Sequence, residues 1–391
     1  FFCFVPLACI MQFCSTKISR FAFGARSCMP NFSSVRDYHF WLRHETKPNE
    51  HRTPILPSQI RLFQEKGHTI TVEKSHARCF PDADYVAEGC ELVETGSWTK
   101  APKDAIIVGL KELPESDDSI KHNHIYFAHC YKEQDGWKDI LQRFKEGNGK
   151  IWDMEFLTFE DGRRVAAFGK SAGYAGMAVG VQAWAHNVSK DAPLTKLYPK
   201  EDFQSLANYS ASVVQERLGE KMPSVLVIGG SGRCGQGATA AALDIGIPQD
   251  KIESWDTSNT AGGGPFKEIL DYDILVNCIY LKDNVKPFID QETIHKHADS
   301  KNLSVLVDVS CDYNNPANPL PIYDQSTTFD EPTLRVEPNI DVVAIDHLPT
   351  LVPSSSSEEF AGQLLPHLLD FNQTAVWERA EKLYEEMVSK V

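Results

Sequence analysis

Short apolar runs alternate with longer mixed segments along most of the chain. His39–Arg43, Thr69–Glu73, Ala105–Leu110, His124–Ala128 and Lys150–Phe156 are brief, mostly apolar and rich in β-branched or aromatic residues, which predicts strands buried on both faces of a parallel sheet. Between them Ser58–Lys66, stopped by Gly67, Asp82–Glu88, and Gln134–Lys145, stopped by the Gly147-Asn148-Gly149 turn, predict helices. Such alternation predicts an α/β doubly wound unit. Ser171–Trp184 predicts a helix whose small residues pack tightly between two domains, and a second α/β unit runs from Ser224 to about Ile345. Pro353-Ser-Ser-Ser-Ser-Glu-Glu359 reads as a loop ending in a serine cap, before helices at Glu358–Asp370 and Thr374–Val388. Lacking strands of their own, those two helices are expected to fold back on the first unit and make it discontinuous.

The second unit opens on the most informative stretch. Val225–Ile228 predicts a buried strand, and Gly230-Ser231-Gly232-Arg233-Cys234-Gly235 then fits G-x-G-x-x-G at the entrance to a helix. Glycines there allow a tight turn, close approach of a pyrophosphate and close helix–strand packing, with the phosphates on free N–H groups of the helix N-terminus. Alone the motif is weak. About twenty residues on, however, Lys251–Asp256 reads as a second strand ending in an acid, where a ribose diol is held. Asp256 favours NAD, and no Lys or Arg lies in Thr257–Gly264 to receive a 2′-phosphate. The fold expected is therefore two Rossmann-like doubly wound domains, with Gly230, Gly232, Arg233 and Gly235 holding the cofactor.

Composition narrows the partners. A formal net charge of −15 makes nucleic acid or an anionic membrane surface poor partners, leaving small metabolites. Ten cysteines without a C-x-x-C pair point to a reduced compartment. Cys234 and Cys278 both fall at strand ends beside the expected cofactor, as two buried thiols or as a redox-sensitive pair. Residues 1–35 carry no acid and combine an apolar run with basic residues, so they read as a targeting segment or as an extension preceding Met29. The apolar run is too short to span a bilayer. Ser389-Lys390-Val391 is one residue from a peroxisomal S-K-L ending. A cytoplasmic location is the expectation, with peroxisomal or mitochondrial targeting left open.

Ligands of open α/β sheets bind beyond the carboxyl ends of the strands. Lys111 and Glu112 follow one predicted strand, and His129 and Lys132 follow the next, so Lys111 and His129 are expected side by side. In the second unit the ends carry Cys278 and Tyr280, then Val309, Ser310, Cys311 and Asp312, then Ile345-Asp346-His347-Leu348. Ser310, Cys311 and Asp312 are candidates for substrate contact and the others for the cofactor. Arg43, Lys47, Arg52, Arg163 and Arg164 stand out in an acidic chain, and arginine recognises carboxylates bidentately. The Arg163-Arg164 pair reads equally as a solvated hairpin tip. His122/His124 and His295/His297 are H-x-H pairs without a third ligand in spacing, so no metal is expected.

Several of these segments resemble NAD-dependent saccharopine dehydrogenases of the lysine-forming type: Leu42-Arg43-His44-Glu45-Thr46-Lys47-Pro48, Gly109-Leu110-Lys111-Glu112, Phe127-Ala128-His129-Cys130-Tyr131-Lys132, Gly162–Gly169, Gly232-Arg233-Cys234-Gly235, Asn277–Leu281 and Ile345–Pro349. The resemblance covers about residues 36–390. It implies an active site in the interdomain cleft, with residues 36–167 and 348–391 binding saccharopine and 168–347 binding NAD. It implies Lys111 as base and His129 as its acid–base partner. Arg43, Lys132 and Arg163 resemble the ligands of the substrate carboxylates, and Glu112 and Glu155 tune the charge around Lys111. Arg164, Phe168, Asp256, Thr260, Tyr280, Val309 and Ile345–Leu348 resemble cofactor and substrate contacts. Three features depart from the pattern: His44 replaces a small residue beside Arg43, Gly262 stands where the ribose loop is expected to carry a basic residue, and the N-terminal extension is foreign.

The reaction implied is oxidation of saccharopine by NAD, with water, to lysine and 2-oxoglutarate, by a monomer. Two competitors remain at this level. One is an NAD-linked deaminase of a simple α-amino acid, resembling alanine dehydrogenase, and the other is a non-catalytic NAD(H)-sensing module.

Overall fold

A computed structural model describes residues 37–190, 193–281 and 285–391, so the expected targeting segment lies outside the described residues. The first sheet has six parallel strands: β1 (His39–Leu42), β2 (Thr69–Glu73), β3 (Glu91–Val93), β4 (Ile106–Val108), β5 (Asn123–Tyr126) and β6 (Ile151–Asp153), in spatial order β3-β2-β1-β4-β5-β6. The second has β7 (Val225–Ile228), β8 (Ile252–Trp255), β9 (Ile274–Asn277), β10 (Val305–Asp308), β11 (Leu334–Val336) and β12 (Ile340–Val343), in order β11-β12-β10-β9-β7-β8, with only β11 antiparallel. Both are α/β doubly wound sheets, as the alternation predicts. Every residue of β7, β9 and β10 is buried, which is why these runs show no polar alternation.

The longer helices are α1 (Trp137–Gly147), α2 (Gly169–Ser189), α3 (Phe203–Leu218), α4 (Arg233–Ile245), α5 (Pro353–Leu369) and α6 (Ala375–Val388). Helix α2 is buried almost all round, as a helix without an amphipathic stripe must be. Its glycines permit this: a Cβ on Gly173 would stand 1.9 Å from the Cys234 carbonyl oxygen, and one on Gly180 would stand 2.6 Å from a Val307 methyl. It is embedded chiefly in the second sheet's core, and reaches the first unit's layer through Ser171 Oγ, which donates to Glu359 at 2.7 Å.

Phe360, Leu364 and Leu368 of α5 and Val376, Trp377 and Ala380 of α6 bury themselves in the same cluster as Phe40, Leu42, Val108 and Ile125 of the first sheet.

Three expectations need correction. Residues 353–359 form the first turns of α5 and not a loop. Pro353 suits the first helical position, where no N–H is needed, and Ser357 Oγ turns back to the Pro353 carbonyl at 2.7 Å. Helix α1 starts three residues later than predicted, after Gly136 in the left-handed region at φ 77°. Helix α3 and the short edge strand β3 fall where no element was predicted.

Candidate active site

In the first sheet the strand order reverses between β1 and β4, so the crevice of an open α/β sheet lies beyond Leu42 and Val108. Arg43 and Glu45 follow β1, and Gly109 to Glu112 follow β4. Glu45 accepts from the Leu110 N–H at 2.7 Å and the Lys111 N–H at 2.9 Å. Arg43 donates to the Lys111 carbonyl and pairs with Glu45 at 3.4 Å. Buried carboxylate and guanidinium thus clamp the backbone of Lys111 from both sides. A Cβ on Gly109 would stand 2.3 Å from Arg43 Nε, so a larger residue there would displace the guanidinium.

The Lys111 ammonium is held below its ordinary range, first by burial and then by the Arg52 and Lys47 charges, against Glu50 and Glu112. Arg52 and Glu50 form a buried bidentate pair at 2.8 and 2.5 Å, and Arg52 lies 4.2 Å over the Phe168 ring. His129, beyond β5, sits in the left-handed region at φ 53°, and its Nε2 stands 3.7 Å from Glu112. Burial lowers the His129 pKa, Glu112 opposes this and Lys111 adds to it. Lys111 and His129 therefore share one electrostatic neighbourhood, as the strand-end reading predicts. Glu112 also meets Lys47 at 3.5 Å. Burial opposes its ionisation, but its own backbone N–H, Lys47 and His129 prevail and hold it below the usual range.

Glu155, beyond β6, was expected to tune Lys111. The structure gives it to Lys132 at 2.7 Å and Arg164 at 3.9 Å, and its field acts on His129. The Arg43 side chain, expected to bind a substrate carboxylate, is 1% exposed and engaged beneath Lys111. Arg163 is 75% exposed and held by Asp161 at 2.6 Å on the turn whose residues Thr158 and Arg164 pair across, which is the hairpin-tip reading. Phe168 stacks on Phe360 at 4.3 Å. The His44 backbone N–H donates to Glu73 at 2.9 Å, and its ring Nδ1 meets Ser75 Oγ at 2.8 Å.

The second sheet supplies a different kind of site. A Cβ on Gly230 would stand 2.7 Å from Ser254, and one on Gly235 would stand 2.2 Å from the Gly229 carbonyl, so backbone alone fits this turn. Gly232 precedes α4 with extended backbone, and Arg233 reaches Gln363 of α5 at 3.3 Å and the Arg164 carbonyl at 3.4 Å. Asp256 accepts from the Ser231 hydroxyl at 2.8 Å. Beside it lies a cavity of about 560 Å³, walled by Asp256, Thr260, Gly262, Tyr280 and Lys286 among others. That is within the usual size of a cofactor pocket. Glycine turn, acid and cavity fit a dinucleotide.

The remaining candidates ring this edge. Val309 bonds to the Asn277 carbonyl at 3.0 Å, Ser310 donates to Asp308 at 2.6 Å, Cys311 donates to the Ala344 carbonyl at 3.1 Å, and Asp312 accepts from Asn315 at 2.6 Å. Ile345 and Leu348 are buried, between them Asp346 is exposed, and burial lowers the His347 pKa, as do Lys111, Lys47 and Arg52, against Asp346. His347 therefore brings the second unit into the field of Lys111. Cys278 and Cys234 are free thiols sharing a hydrogen bond, which with burial holds Cys278 well above the usual thiol range. Sequence reasoning missed Glu50, and it missed Asp308, a fully buried carboxylate accepting from Asn277, Ser310 and Tyr323. The apolar run Val305–Val307 ending in an acid was the available signal for Asp308. Among the described residues no group of three His, Cys, Asp or Glu is placed to hold a metal.

Residues 41–175 match the family described as alanine dehydrogenase/PNT, N-terminal domain. The saccharopine dehydrogenase [NAD(+), L-lysine-forming] of Yarrowia lipolytica is 48% identical over 363 residues, covering 90% of this chain and 97% of the relative. The chain belongs to the saccharopine dehydrogenase family. The same-named protein of Schizosaccharomyces pombe is 48% identical over 368 residues, covering 90% and 99%. A solved L-alanine dehydrogenase overlays 89% of this saccharopine dehydrogenase family member, and 93% of its own chain, with a TM-score of 0.62 at 15% identity. That likeness shows the fold shared with the alanine dehydrogenase group.

Proposed function

We propose that this chain oxidises saccharopine with NAD and water to lysine, 2-oxoglutarate and NADH. The observation that carries the reading is a buried lysine, Lys111, with its pKa lowered by burial and cationic neighbours, beside His129 at the reversal point of the first sheet. Lys111, in its neutral form, accepts the proton of the substrate's secondary amine. Bound NAD supplies the acceptor for the hydride that leaves the glutamyl α-carbon. His129, with Glu112 and Glu155 nearby, moves protons as water adds to the resulting imine. Lys132 offers an ammonium to a substrate carboxylate at the site's mouth, and Ser310, Cys311 and Asp312 line the opposite side. Arg43 acts through Lys111, and Arg163, whose exposed pair with Asp161 is weak, offers its guanidinium to a second substrate carboxylate.

Gly230, Gly232 and Gly235 leave room for the pyrophosphate, and Asp256, Thr260 and Tyr280 hold the adenosine end. In this reading residues 36–167 with 348–391 bind saccharopine and residues 168–347 bind NAD. The shared core of α5, α6 and the first sheet supports that division. In this reading the protein is a cytoplasmic monomer, and the lack of any C-x-x-C pair among its cysteines suits a reduced compartment. Among the described residues no helix is long and apolar enough to cross a membrane.

The test is NADH formation by the purified protein with saccharopine and, separately, alanine. Turnover of saccharopine is expected. Turnover of alanine alone makes the chain a simple amino-acid deaminase, and NADH binding without turnover of either makes it a sensing module.

A further inference from the structure

The cavity beside Asp256 has two lips. One is the loop after β8, with Asp256, Thr260, Gly262 and Gly263. The other is the loop after β9, with Tyr280, Val285 and Lys286. The lips are packed backbone to backbone: a Cβ on Gly264 would stand 2.0 Å from the Pro287 carbonyl oxygen, and the Phe266 N–H donates to the Phe288 carbonyl at 2.8 Å. Lys286 is exposed, and its stem runs along Gly263, whose added Cβ would lie 3.4 to 3.7 Å from its methylene carbons. Among the described residues walling the cavity Lys286 is the one cation and Asp256 the one acid. No described carboxylate is ion-paired with the Lys286 ammonium. The ribose loop itself offers nothing positive, and the space at Gly262 is open for 4 Å around an added Cβ.

We infer that Lys286 is a cofactor-specificity residue, which reaches across from the neighbouring loop to supply the positive charge at the adenosine end of the dinucleotide. This rests on reading the cavity as the adenosine end of an NAD site. Pro287 restricts the backbone at Lys286, and the Gly263 face guides the stem, so the ammonium is presented on the cavity's rim rather than ranging through solvent. Asp256 and Lys286 then act in opposite senses on a 2′-phosphate. The carboxylate repels it and the ammonium attracts it, and NAD is preferred because Asp256 is also satisfied by the ribose hydroxyls. Remove the carboxylate, and the residual cation should make the same cavity welcome NADPH.

The experiment is fluorescence titration of NADH and NADPH into wild type, Lys286→Ala, Lys286→Arg, Asp256→Ser and the Asp256→Ser/Lys286→Ala double variant. It reads binding and needs no turnover, so it stands apart from the identity of the substrate. Lys286→Ala should weaken NADH by about two- to tenfold, as befits a partly exposed charge contact, and Lys286→Arg should keep wild-type affinity. The deficit should shrink at about 1 M salt, where the screening length is about 3 Å. Asp256→Ser should gain NADPH affinity, and the double variant should lose most of that gain. Equal NADH binding by wild type and Lys286→Ala, or an undiminished NADPH gain in the double variant, would overturn the inference while leaving the NAD site standing. Absence of NADH binding to wild type would overturn both.

Discussion

The carboxyl edges of the two sheets are built from opposite materials. Beyond β1, β4, β5 and β6 the first sheet sets out ionisable side chains: Lys111 and His129, with Glu45, Glu50, Arg52, Glu112 and Glu155 around them. Beyond β7 the second sheet sets out backbone, in a glycine turn where a Cβ on Gly235 would collide with the Gly229 carbonyl. Proton transfer needs charges that burial and neighbours have moved off their ordinary pKa values. Holding a pyrophosphate needs room and N–H groups instead. In the proposed function a fold used twice in one chain divides a redox reaction between a reactive edge and a gripping edge, and His347 stands in the field of Lys111.

If that division is real, damage to the first edge should abolish chemistry and spare the cofactor. Lys111→Met should lower kcat for saccharopine oxidation by about 10²- to 10⁴-fold, the usual contribution of a general base, while NADH titrates the variant as it does wild type. Comparable loss of both would erase the contrast. Beneath the lysine, Arg43→Met leaves Glu45 buried without its partner, and breaking such a pair typically costs about 3–5 kcal/mol. Arg163→Ala, on the exposed turn, should fall within about 0.5 kcal/mol of wild type. Urea unfolding of the two variants separates a buried support from a surface cation, and similar midpoints would refute the difference.

The smallest effect tests how the reactive edge is tuned. Glu112 raises the pKa of both Lys111 and His129. Glu112→Gln removes that support and lowers both. The acid limb of saccharopine oxidation, where Lys111 becomes protonated and cannot accept the amine proton, should therefore move to lower pH by less than about one unit. A limb that stayed still, or moved up, would show that Glu112 does not act on the base.

Much of this was legible in the chain. Short, mostly apolar runs rich in β-branched or aromatic residues located five of the six strands of the first sheet. The escape of β3 has the same cause in reverse: Glu91–Val93 is a three-residue edge strand, only partly buried. Helix α3 was missed although Asp202 caps it by accepting from the Ser205 N–H at 2.7 Å, since Ser210 occupies a buried position and breaks the apolar stripe. Lys111 and His129 lie beyond the ends of β4 and β5, where the strand-end reading placed them. Glu50 was missed, because a buried pair with Arg52 two residues away looks like loop polarity until burial is known. Glu155 lies at this edge, but which cation it pairs with depends on how the loop after β6 turns, and spacing does not carry that.

The central claim is that the fold prepares Lys111 as a base, and its titration is the direct test. Acylation of lysine amines at graded pH, read residue by residue by mass spectrometry, gives the midpoint for Lys111 in the intact protein. The structure predicts a midpoint below the ordinary lysine value of 10.5, lower again in Glu112→Gln. A Lys111 that titrates at the ordinary value, together with the surface lysines, would contradict it.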